Sequence, residues 1–129
     1  MALLIIGLAL FVGAHLLPTS QALRGALVAR LGQNGYKALV AIASGVGLVL
    51  TVIGFGRAPE EQIFPPSQTA RMLLPVAMAV AFVLMATAYA PGRLRRLLRH
   101  PMLAAVLIWS GLHFLANGDL AGNILFGTF

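Results

Sequence analysis

No cysteine occurs in the chain, which excludes disulfides, thiolate metal sites and cysteine nucleophiles together. Charge is almost as scarce. Only 9% of the 129 residues are charged, against about 25% in soluble domains, so a water-tolerant surface cannot be assembled. Carboxylates are limited to Glu60, Glu61 and Asp119. No serine has both a histidine and a carboxylate as plausible neighbours, so a hydrolytic triad has no basis. A basic n-region is missing before the first apolar run, and no small-residue cleavage site ends it, so that run reads as a membrane span and not as a signal peptide. What remains is apolar: 60% hydrophobic residues and a mean hydropathy of +0.93. The expected class is an all-α integral membrane helix bundle.

Four segments meet or approach the requirement of about 20 apolar residues for a spanning helix. The first is "MALLIIGLALFVGAHLL", which reaches Pro18. The second runs from Ala38 to Gly56 and the third from Met72 to Ala90, with Pro75 placed in its first turn. The fourth, from Met102, is short and breaks at Asn117, Gly118 and Asp119. Beyond it "LAGNILFGTF" looks like an unfinished fifth. In the first connection, Ser20 is available as an N-cap. It would open a short interfacial helix with Ala22, Leu23, Ala26, Leu27 and Leu31 near one face. The small residues Ala41, Ala43, Ser44, Gly45 and Gly47 leave one side of the second span narrow enough for a close helix neighbour.

Seven of the nine Lys and Arg residues fall in two connections: Arg24, Arg30 and Lys37 in the first, and Arg93, Arg95, Arg96 and Arg99 in the third. The second connection sets Arg57 and Arg71 against Glu60 and Glu61. The positive-inside rule therefore puts the first and third connections in the cytoplasm and the N-terminus outside it. The net charge of +6 is this orientation signal plus attraction to anionic lipid head groups. Nucleic acid is not an expected partner, because the basic residues border spans and lack interleaved aromatics. The expected partners are the lipid bilayer and other membrane proteins or a second copy of the chain.

The ionisable residues placed to act within or beside lipid are His15, His100 and His113. One such histidine can be explained by a hydrogen bond to a carbonyl; two on different spans favour function. Helical rise from Arg24 and Arg99 places His15 and His113 roughly 13 and 21 Å deep, in a hydrocarbon core about 30 Å thick. A break at Pro18 would move His15 toward the surface. Two facing imidazoles can hold a haem iron from both sides, and Gly13, Ala14 and Gly111 were the small residues expected to leave room for a flat ring. A bare divalent metal would need more donors, and no carboxylate sits at that depth.

The stretches "LLIIGLALFVGAHLL", "ALVARLGQNGYKALVAIASGVGLVL", "GFGRAP" and "LRHPMLAAVLIWSGLHFLANGDLAGNILFG" together resemble the NnrU family of bacterial membrane proteins, over nearly the whole chain. NnrU proteins are similar to zeta-carotene isomerase, a membrane protein that binds haem b through histidine. The resemblance implies a single domain over residues 1–129, C-terminally short relative to the family. It selects His15 and His113 as haem ligands and associates the chain with production of nitrite and nitric oxide reductases. In the isomerase a cysteine three residues before the second histidine is thought to exchange with it; here Ser110 stands there. Leu16, Leu17 and Pro18 follow the first histidine, where the family tends to have polar and basic residues. The resemblance therefore implies haem binding with little or no isomerase activity.

Two further motifs have sufficient structural explanations. Arg99-His100-Pro101 resembles the start of a cofactor-binding motif in membrane methyltransferases and sterol reductases. Met102 and Leu103 follow without the expected tyrosine, and proline suits the first turn of a span. Asn117 and Gly118 can end the fourth helix in a left-handed cap, and Asp119 can then N-cap the next segment. A functional role for Asn117 or Asp119 would be to orient His113 through its second nitrogen or to reach a haem propionate. The alternatives to haem binding are a cofactor-free membrane assembly partner, or a small methyltransferase or NADPH reductase using the Arg-His-Pro loop. Whether the chain is an enzyme is left open by the sequence.

Overall fold

The computed structural model describes residues 1–89 and 98–129. Arg93, Arg95 and Arg96, three of the seven basic residues in the orientation signal, lie outside the described residues. The described chain is helical, with α1 (Ala2–Leu16), α2 (Gln21–Gly56), α3 (Gln68–Tyr89), α4 (Pro101–Asn117) and α5 (Leu120–Thr128). Three helical runs are long and apolar enough to cross a membrane: Ala2–Thr19, Gln21–Gly56 and Gln68–Tyr89. With 17 residues α4 is shorter, and α5, with nine, rises only about 13 Å. Large apolar side chains point outward, as lipid as solvent requires: Ile42 is 66% exposed and Phe82 72%. The fold divides into two compact units, Met1–Pro59 and Glu60–Phe129.

In the first unit α1 and α2 pack antiparallel through glycine. A Cβ on Gly54 would collide with the Leu4 backbone, one on Gly7 with Thr51, and one on Gly47 would lie 2.6 Å from the Phe11 nitrogen. The three contacts keep one antiparallel register, and Leu4, buried at 0% exposure, fills the space beside Gly54. Dispersion between closely apposed backbones holds the pair together, since lipid removes the hydrophobic drive. Gly45, two residues from Gly47, has nothing within 4 Å of an added Cβ. Of the two glycines singled out, only Gly47 meets α1.

Pro18 does interrupt the first helix. After Leu16 the chain makes a tight 3₁₀ turn, Leu17–Thr19, and Ser20 then caps α2 by accepting from the Leu23 N–H at 3.4 Å. The expected interfacial helix and the second span form one element, broken only at Gly32, whose φ of 71° is open to glycine. The loop anticipated up to Lys37 is thus a single-residue kink. Leu23 and Leu31 on the first segment are exposed, as a face meant for the lipid interface would be.

The start of α3 also corrects the sequence reading. Ser67 caps it through the Ala70 N–H at 3.2 Å, so the helix begins at Gln68 and Pro75 lies inside it. The capping serine won over the hydropathy boundary. The hydrogen bond lost at Pro75 is the cost of that earlier start.

The second unit is organised around the C-terminal end of α4. Four of its last backbone carbonyls, which a helix leaves without partners, are taken up by the segment before and within α3. Leu115 C=O accepts from the Ser67 N–H at 2.9 Å, Ala116 C=O from Arg71 Nε at 2.9 Å, and Asn117 C=O from Gln62 Nε2 at 3.2 Å. Gly118 C=O accepts from the Ile63 and Phe64 N–H groups at 2.9 and 3.1 Å. Arg71 also sets a cation at a helix C-terminus, where the dipole favours it. Gly118 takes the left-handed conformation foreseen for it, φ 71° and ψ 4°. Asp119 then caps α5, its Oδ2 accepting from the Gly122 N–H at 2.8 Å.

Candidate haem-ligand histidines

His15 and His113 sit in different units, and each is described within its own. His15 is the penultimate residue of α1. Because the helix ends at Leu16, the depth reckoned along a continuous helix from Arg24 does not apply: His15 lies at the end of its helix. Its Nδ1 is 2.8 Å from the Phe11 carbonyl oxygen, and the two rings lie 4.3 Å apart at 35°. His113 lies four residues before the end of α4. Its Nδ1 is 2.8 Å from the Trp109 carbonyl oxygen. The Phe126 ring stacks on it at 4.9 Å and 28°, and Trp109 stands 5.7 Å away.

The two sites are locally alike. Each imidazole reaches back to the carbonyl of the residue four before it, and in each case that residue is aromatic. A carbonyl can only accept, so Nδ1 must carry the proton. In a neutral ring the Nε2 lone pair is then available to a metal, the tautomer that ligating histidines are held in by an outer partner. The partner that orients His113 is therefore the Trp109 carbonyl and not Asn117 or Asp119. Asp119 is occupied at the α5 cap, and the Asn117 carbonyl is taken by Gln62.

Gly13 and Gly111 do not serve as anticipated. A residue two before a histidine lies about 200° around the helix from it, so neither glycine flanks the imidazole. Both open onto free space, but on the other side of their helices. Ala14 is buried. Ser110, three residues before His113, is buried, with its hydroxyl 3.5 Å from the Leu107 carbonyl. Among the described residues no three His, Asp or Glu side chains converge, and the donors available are two separate imidazoles. His100 is exposed at the start of α4, and its side chain does not cap the helix.

Sequence reasoning noted Trp109 before His113 but not Phe11 before His15. The signal was there, since "FVGAH" and "WSGLH" share aromatic-x-Gly-x-His. It also missed Tyr36 and Asn123. The Tyr36 hydroxyl and Asn123 Oδ1 are buried without a hydrogen-bond partner among the described residues, and buried polar atoms normally have one. Composition carries no sign of such a state.

Comparison with known proteins adds one match. The family model for NnrU protein matches residues 3–129. No curated protein and no solved structure matches the chain.

Proposed function

The chain belongs to the NnrU family, and on that premise we propose that it is a haem b-binding protein of the bacterial inner membrane. His15 and His113 are the residues that would hold the haem, and the protein's role lies in haem handling or redox sensing during production of nitrite and nitric oxide reductases. The observation that carries the haem reading is the repeated ring geometry: two histidines on separate helices, each with Nδ1 fixed on the carbonyl four residues back and Nε2 left as the donor. The same local bond recurs on two helices and leaves the same ring nitrogen free in each. The donor set also fits the group. Two neutral imidazoles suit iron in a macrocycle that supplies the other four nitrogens, whereas a bare divalent ion would lack ligands.

The residues around the donors have definable parts. Phe11 sets an apolar ring against His15, and Trp109 and Phe126 set theirs against His113. Tyr36 Oη and Asn123 Oδ1 are polar atoms that a polar ligand or a partner chain would satisfy. A bound haem would supply one-electron redox chemistry. The test is haem content after expression with ample haem and purification in neutral detergent. The wild-type chain should retain about one haem per chain, and His15→Ala and His113→Ala should each lose most of it. Equal retention by both variants would remove the assignment. Absence of haem from the wild type would favour the cofactor-free assembly partner.

A further inference from the structure

Two cavities in the second unit share one wall residue. One, of about 470 Å³, is bordered by Ala88, Arg99, His100, Met102 and Val106. The other, of about 290 Å³, runs between α3 and α4 past Met78, Phe82, Met85 and Val106 to Trp109 and Phe129. Val106 borders both, so they follow one another along α4, and the path along that helix runs from a basic mouth to an apolar interior. From His100 to Trp109 the path follows about 13 Å of helix rise.

We propose that this path binds one anionic phospholipid, with its phosphate at Arg99 and His100 and one acyl chain lying in the groove as far as Trp109. The order of chemistry along the path is that of the molecule, head group first and hydrocarbon after. No acidic side chain borders either cavity, so the mouth complements a negative head group. Arginine there offers charge-assisted hydrogen bonds to phosphate oxygens. Methionines on the groove wall adapt to chains of different length and saturation. A free phosphate would use the mouth and leave the groove empty; a zwitterionic lipid would fill the groove without the charge complement. The motif at Arg99-His100-Pro101 thereby gains a role that needs neither S-adenosylmethionine nor NADPH, and the inference does not depend on haem.

Trp109 is the only tryptophan in the chain, which makes the groove directly observable. The full chain in neutral detergent is titrated with phosphatidylglycerol brominated on its acyl chain, and with phosphatidylcholine brominated in the same way. Quenching of Trp109 should saturate at about tenfold lower phosphatidylglycerol than phosphatidylcholine. In Arg99→Gln/His100→Gln that preference should fall below about twofold, with quenching by both lipids retained. Val106→Phe should weaken quenching by both lipids, while Leu107→Phe, at a position 56% exposed and outside both cavities, should not. Equal quenching by the two lipids in the wild type would overturn the proposal, as would displacement of phosphatidylglycerol by an equal concentration of inorganic phosphate. A preference for phosphatidylglycerol unchanged in the double variant would do the same without relying on Val106→Phe to fold.

Discussion

Replacing Gly47 by alanine tests one of the three close approaches between α1 and α2. The new methyl carbon would stand 2.6 Å from the Phe11 nitrogen and 2.9 Å from its Cα, against about 3.5–4.0 Å for ordinary contact. Both atoms belong to backbone, so relief requires the helices to part by roughly 1 Å. Overpacking of this kind costs about 1–3 kcal/mol. The same separation loosens the contacts at Gly7 and Gly54, which share the register. Alanine regains about 1 kcal/mol in helix propensity, leaving a net loss of about 0–2 kcal/mol. Gly45→Ala is the control, because open space there leaves only the propensity gain. The two variants should differ by about 2 kcal/mol, near a thirtyfold change in the unfolding equilibrium. With no native cysteine, Ala2→Cys and Gly56→Cys can carry a donor and acceptor dye, and energy transfer followed through an SDS titration reads α1–α2 separation. If Gly47→Ala resists SDS as well as Gly45→Ala does, the close approach is wrong.

Further expectations concern the second unit, the orientation and the activity. Gly118→Ala should destabilise the second unit by about 1–2 kcal/mol from its left-handed backbone alone, and by more because its Cβ would collide with the Phe64 carbonyl; thermal unfolding followed by Trp109 fluorescence checks this, and an unchanged midpoint would refute it. Reporter fusions at Glu60 and Arg95 should lie outside and inside the cytoplasm respectively, and the reverse pattern would invert the topology. Co-expressed in the dark with a source of tri-cis zeta-carotene, the chain should leave the isomer ratio at the empty-vector level, because Ser110 cannot supply a thiolate in exchange for His113; clear conversion would contradict this.

Local signals read well from the sequence wherever a single residue decides the backbone. Ser20, Gly118 and Asp119 were each assigned a cap from their type and position, and each makes it. The start of the second span at Ala38 and the first-turn place of Pro75 differ from the structure for one reason: hydropathy marks where lipid begins, while a helix runs on through polar turns until a cap or a left-handed residue stops it. The clamp on α4 was out of reach. Arg71 and Gln62 hold carbonyls 45 and 55 residues away, and charge counting had taken Arg71 for a topological marker in a loop. Which of Gly45 and Gly47 faces α1 depends on the register of a partner helix, which periodicity in one segment does not contain. At the candidate site the local setting was not legible: the sequence offers Asn117 or Asp119 as an alternative orienting partner for His113, whereas the i−4 carbonyl lies against Nδ1 of both histidines.

The central claim, one haem held by His15 and His113, is tested most directly by the absorption spectrum of the purified wild-type chain alongside its three histidine-to-alanine variants. Two imidazole ligands predict a low-spin spectrum, lost or converted to high spin in His15→Ala and in His113→Ala and unchanged in His100→Ala. A colourless wild-type protein from haem-replete cells, or a low-spin spectrum that survives both His15→Ala and His113→Ala, would contradict it.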